Sequence, residues 1–120
     1  MREILFRGKE PQGNWSYGGL IQSANNFYIS IEIDKGFMCA YVKPETVGQY
    51  TGLTDKNGKK IFEGDIVKYI NSSPCKIDYI DSQFVMMWKN FYRNFERVYD
   101  DEIEVIGNIY DSPELLEVEK

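Results

Sequence analysis

The chain contains no histidine, only two cysteines and only four prolines among its 120 residues. Without histidine the commonest general base is missing, and with it every Ser-His or Cys-His nucleophile pair. A structural zinc site needs four Cys or His ligands, which Cys39 and Cys75 cannot supply. These two thiols stand far apart in a chain without an export signal, so they read as reduced packing residues rather than a disulfide. No run approaches the roughly 18–20 apolar residues of a membrane span. The start, Met1–Arg7, has a charge inside each short apolar run and does not read as a signal peptide. A phosphate-binding glycine loop and a nucleophile elbow are missing too. The absences point to a cytoplasmic protein with no membrane contact, metal or cofactor, and to a non-enzymatic role.

What is present favours sheet. Nine Tyr, seven Phe and two Trp suit the pleated, half-buried surface of strands. Net charge is −5, unevenly spread. From Glu96 onward nine acids face two bases, whereas the preceding residues carry ten acids and twelve bases. An acidic chain disfavours tight non-specific nucleic-acid binding. The lysine-bearing middle still leaves a local patch possible, built from Lys56, Lys59, Lys60, Lys68, Lys76, Lys89 and Arg93, with Trp88 beside it. Its simplest reading is a solvated sheet edge. Trp15, Tyr17 and Trp88 could also form a stacking platform for bases, but core packing is the better account, because aromatics at alternating strand positions need no ligand to explain them.

Along the chain, residues 3–7 read as a short strand with Ile4 and Phe6 on one face. Gly8–Trp15 is a loop, and strands follow over Trp15–Ile21, Phe27–Ile33 and Phe37–Val42, the last two joined at Asp34-Lys35-Gly36. Pro44 ends the third of these. Pro44–Val47 fits either a helical turn or a strand edge. Further strands are expected over Asp65–Ile70 and in a hairpin across Asp81-Ser82. Lys89–Tyr99 has Phe91, Phe95 and Val98 at spacings of four and three, which leaves a short helix or a bulged strand open. Glu102–Tyr110 alternates as a strand. Ser112 and Pro113 then signal a short C-terminal helix, with Leu115, Leu116 and Val118 to pack.

The densest stretch is "TGLTDKNGKKIFEGDIVKY", residues 51–69. Asp55–Gly58 reads as a tight hairpin tip, with Asn57 and Gly58 tolerating positive φ. Glu63-Gly64 makes a corner or bulge, and Asp65 fixes it by accepting nearby backbone N–H groups. Glu63 and Asp65 share a strand face, so a carboxylate pair for a cation or for acid–base work is the sharper alternative. Asp100, Asp101, Glu102 and Glu104 form another acidic cluster, but without the glycine-containing alternation of a calcium loop.

The segments "REILFRGK", "NWSYGGLI", "VKPETVGQYTGLTDKNGKKIFEGDIVKY" and "EVIGNIYDSPELL", in that order, resemble the YopX family of phage and prophage proteins over nearly the whole chain. The resemblance implies a mainly β protein of two small regions. Residues 1–54 would form an N-terminal β region packing on the rest, and residues 55–120 an SH3-like β-barrel with the short C-terminal helix. It also implies a homo-oligomer encoded by a phage or prophage, and no reaction. The expected function is a binding or assembly module acting through contacts with phage or host proteins or further copies. Nucleic-acid binding through the lysine-bearing middle and a carboxylate-dependent enzyme are the alternatives.

Overall fold

The computed structural model of the chain describes residues 3–95 and 100–117. The described part is mainly β, arranged in antiparallel sheets, and it divides into two compact units, Met1–Tyr50 and Thr51–Lys120. Among the described residues no helix is long and apolar enough to cross a membrane.

In the first unit the strands β1 (Phe6–Lys9), β2 (Trp15–Ser23), β3 (Asn26–Ile33) and β4 (Gly36–Val42) precede β5 (Gly48–Thr54). Their order is β4-β3-β2-β1-β5, and β5 carries the chain onward into the second unit. The first strand starts later than expected. Its pairing with Trp15–Gly18 uses Phe6–Lys9, and Ile4 is left 72% exposed. The Asp34-Lys35 turn joins β3 and β4, closing at Ile33 opposite Gly36. Ile29 and Val42 are fully buried, while Ile33, Phe37 and Met38 at the far end of this hairpin are exposed. Along β3 only the middle is well covered: Ile29 is buried, whereas Glu32 and Ile33 near the turn are exposed. Pro44–Thr46 forms a single 3-10 turn, and Thr46 ties it to β1 by accepting the Lys9 N–H at 2.8 Å.

The second unit holds β6 (Lys60–Phe62), β7 (Asp65–Tyr69), β8 (Cys75–Ile80), β9 (Gln83–Met87), β10 (Tyr92–Asn94) and β11 (Ile103–Asn108). β6 lies beside the end of β5, and the others form a sheet of order β10-β9-β8-β7-β11. Its core consists of Ile61, Val67, Tyr69, Cys75, Ile77, Met86 and Ile103, with Trp88, Phe95 and Val105 packed against it. Each buried aliphatic side chain contributes roughly 1.5–3 kcal/mol relative to exposure.

This sheet is open, in place of the barrel anticipated for the C-terminal half. Among the described residues no strand continues it beyond β11. The tip of the β5–β6 hairpin meets that edge instead, with Lys56 donating to the Ile103 carbonyl at 2.9 Å. Asp55 accepts the Val105 N–H there, also at 2.9 Å. A side chain thus satisfies a backbone donor that barrel closure would have paired.

The tail forms a five-residue 3-10 helix, Pro113–Glu117, in place of an α-helix. Asn108 shapes its approach by accepting the N–H groups of Tyr110 and Asp111. Gly107 sits at an irregularity of β11, where a Cβ would come within 2.8 Å of Leu115. Val118 lies outside the described residues. Lys89–Asn94 is neither helix nor bulged strand: Lys89-Asn90 is a hairpin tip and Tyr92–Asn94 is β10. Residues 96–99 of that segment lie outside the described residues.

Candidate functional site

The stretch singled out in the sequence builds two corners. At the first, Asp55 is 3% exposed. One of its carboxylate oxygens accepts the N–H groups of Asn57 at 2.8 Å and Lys59 at 2.9 Å. The other accepts Val105. Gly58, at φ +81°, returns its N–H to the Asp55 carbonyl at 2.9 Å. Burial of Asp55 by itself raises its pKa, but the N–H groups of Val105, Lys59 and Asn57, with the Lys59 charge, outweigh it and hold the carboxyl below its ordinary 3.8.

At the second corner, Gly64 adopts φ +95°, a conformation that disfavours a side chain. Its N–H donates to Ile77 and its carbonyl accepts from Ile109. Asp65 is 2% exposed and accepts the Phe62 N–H at 2.7 Å. Glu63 is half-buried in the turn beside it. Among the described residues, no three His, Cys, Asp or Glu side chains gather into a group able to hold a metal. Asp100–Glu102 forms a 3-10 turn, and Glu104 lies 3.5 Å from Lys56.

The basic and aromatic candidates separate. Lys59 and Lys60 are exposed on the β5–β6 hairpin, and Lys68 lines a shallow depression that also includes Lys56 and Glu104. Lys76, Trp88 and Lys89 come together in a groove of about 570 Å³ between the Asn71–Pro74 turn and the β9–β10 hairpin. Trp88 and Phe91 face each other across that hairpin's two-residue tip, with ring centroids 4.9 Å apart and planes 13° from parallel. The Trp88 indole N–H donates to the Ser73 carbonyl at 2.9 Å, which fixes the ring against the opposite wall. Tyr69 stands behind it at 6.5 Å, with the Arg93 guanidinium 5.2 Å from the Tyr69 ring centre. Trp15 and Tyr17 belong to the first unit, where Arg7 lies over Trp15 at 4.7 Å.

Neither Phe91, seen only as part of an apolar spacing, nor Ser73 was among the candidate binding residues. The usable signal was "WKNF", a two-residue Lys-Asn step between aromatics in an alternating run. Chemically, the groove offers stacking surfaces, amide and hydroxyl groups and two ammonium groups.

The model of the YopX family, described as YopX protein, matches residues 6–117. Among solved structures the chain is similar to protein EF1440 from Enterococcus faecalis, at 25% identity and a TM-score of 0.63. That match covers 97% of this chain and 99% of the other. No curated protein matches the chain.

Proposed function

The chain belongs to the YopX family, and we propose that it is a non-enzymatic assembly module that associates with copies of itself through the β4 edge. The observation that carries this reading is the edge itself. Among the described strands β4 pairs with β3 alone. Its sequence, "GFMCAYV", has no charge, no proline and no bulge, the devices that normally keep sheet edges apart. Phe37 is 71% exposed and Met38 52%. On the outward face, Tyr41 is exposed and packs edge-to-face on Tyr28 at 5.8 Å.

In a two-residue hairpin the closing pair exchanges hydrogen bonds and the pattern then alternates. With Ile33 opposite Gly36 as that pair, the backbone groups of Phe37, Cys39 and Tyr41 point away from β3. Two such edges pair antiparallel about a two-fold axis, the usual symmetry of homo-oligomers. Cys39, exposed at the middle of β4, then faces its counterpart. An opposed pair has a Cα separation of about 5.5 Å, within disulfide range.

Light scattering with mild copper oxidation tests the proposal. The expected result is a mass above one chain, a covalent dimer through Cys39, and reversion to a single chain with Met38→Lys and Cys39→Lys together. A mass of one chain for the wild type at micromolar concentration would refute it. The setting we propose is the cytoplasm of a bacterium carrying the phage or prophage that encodes the protein.

A further inference from the structure

We propose that the groove between the Asn71–Pro74 turn and the β9–β10 hairpin binds single-stranded nucleic acid, with bases stacked on Phe91 and phosphates held by Lys89 and Lys76. This is independent of how copies associate. Its volume, about 570 Å³, lies within the usual range for small-ligand sites, roughly 300–1,000 Å³. It is large enough for a short piece of a strand.

Three observations favour this ligand over an apolar one. The first is the aromatic arrangement. Phe91 is 61% exposed on the hairpin tip, yet it is held by parallel stacking on Trp88. Trp88 is in turn pinned by its bond to Ser73 and packed against the core. An exposed aromatic face on a rigid support is the element that sequence-tolerant single-strand binders use, because every base presents a π-face. With its N–H occupied, Trp88 offers ring surface rather than a donor, which suits stacking over base reading.

The second observation is charge. Lys76 and Lys89 line the groove, and among the described residues no carboxylate does. Lys76 has Asp78 3.8 Å from its ammonium in an exposed pair, which a phosphate can displace at little cost. The overall negative charge of the chain is less of an obstacle than it looks. Residues 51–95 carry seven bases against five acids. Two of those acids, Asp55 and Asp65, are buried and accept backbone N–H groups.

The third observation is the opposite wall. Ile70, a β-branched residue, adopts φ +52° just before the Asn71–Pro74 turn. That conformation is strained and persists only where the surroundings enforce it. Here the Ile70 N–H is held by the Glu102 carbonyl at 3.0 Å. The strain sets the turn that brings Asn71, Ser72 and Ser73 to the groove.

The test is titration of the protein, in a Trp15→Phe background, with a thymidine homo-oligonucleotide at low salt. Trp88 fluorescence should be quenched. Phe91→Ala should weaken binding about tenfold, the loss expected for one stacked base. Lys89→Ala should reduce the slope of log affinity against log salt by about 0.7, the value for one single-strand phosphate contact. Both side chains are exposed, so the variants should melt with the parent, which separates binding from folding. Absence of quenching at low salt overturns the proposal, as does an unchanged affinity in Phe91→Ala. Quenching by a proline-rich peptide but not by the oligonucleotide would overturn it as well, by assigning the groove to a peptide.

Discussion

Replacing Asp55 should cost far more stability than replacing an exposed carboxylate. The side chain accepts three backbone N–H groups. Asn57 and Lys59 are exposed, so water can replace the carboxylate there, and each loss is worth about 0.5–1.5 kcal/mol. Val105 lies in β11, and leaving its N–H without a partner costs about 1–3 kcal/mol. Asp55→Ala should therefore destabilise by about 3–4 kcal/mol, or roughly 10–15 °C in melting temperature at this chain length. Asp55→Asn keeps one oxygen for Asn57 and Lys59 but turns an amide N–H toward Val105, so it should cost about 1–3 kcal/mol. The effect should depend on pH. The folded-state pKa lies below the ordinary 3.8, so the contribution is fully present above that value. It is lost as pH falls from there through the folded pKa. Urea unfolding followed by Trp88 fluorescence, in a Trp15→Phe background, measures all three terms. If Asp55→Ala stays within about 0.5 kcal/mol of the parent, the reasoning is wrong. Equal losses in the Ala and Asn variants would show that the turn contacts contribute nothing.

Three other outcomes are expected. Gly64→Val forces a β-branched residue into φ +95° while both backbone groups are held, and should cost about 1–3 kcal/mol in thermal melting; an unchanged melt would contradict the assigned corner. Burial pushes the Cys75 thiol up to about 12, leaving about one thiolate in ten thousand at pH 8. Alkylation of the native protein should therefore label Cys39 and spare Cys75 until urea is added, as peptide mass mapping would show. Gly107→Val places methyl groups where Leu115 and Ser112 sit and should displace the Pro113–Glu117 turn, detected as faster proteolysis of the tail with little loss of overall stability.

The hairpins were legible because their turns are local chemistry. Asp34-Lys35, Asp55–Gly58 and Asp81-Ser82 each join adjacent strands, and the residues that permit those turns stand beside one another in the chain. Sheet closure was not legible, because it depends on what meets the free edge of β11. The contact that does so links Asp55 to Val105, 50 residues away. The β9–β10 hairpin was obscured by a coincidence of spacing. Phe91, Phe95 and Val98 imitate a helical face, whereas the pairing of Tyr92 with Met87 shows that the period there is two. The groove followed the same logic. Lys76, Trp88 and Lys89 were visible as residue types, but their gathering requires the Ser73–Trp88 contact across two turns.

The densest part of the sequence turns out to be spent on backbone. Asp55 and Asp65 accept main-chain N–H groups, while Gly58 and Gly64 adopt conformations that side chains resist. None of these four residues lines the aromatic groove or the β4 edge. A substitution among them should therefore change how much protein is folded, not what the folded molecules bind. Asp65→Asn makes the distinction measurable, because it keeps an oxygen for Phe62 while removing the charge. Its unfolding midpoint should fall, yet once titrations are corrected for the folded fraction, oligonucleotide affinity and self-association should match the parent. A loss of either property in fully folded Asp65→Asn protein would place that carboxylate in the function itself, and would restore the acidic corner as a site.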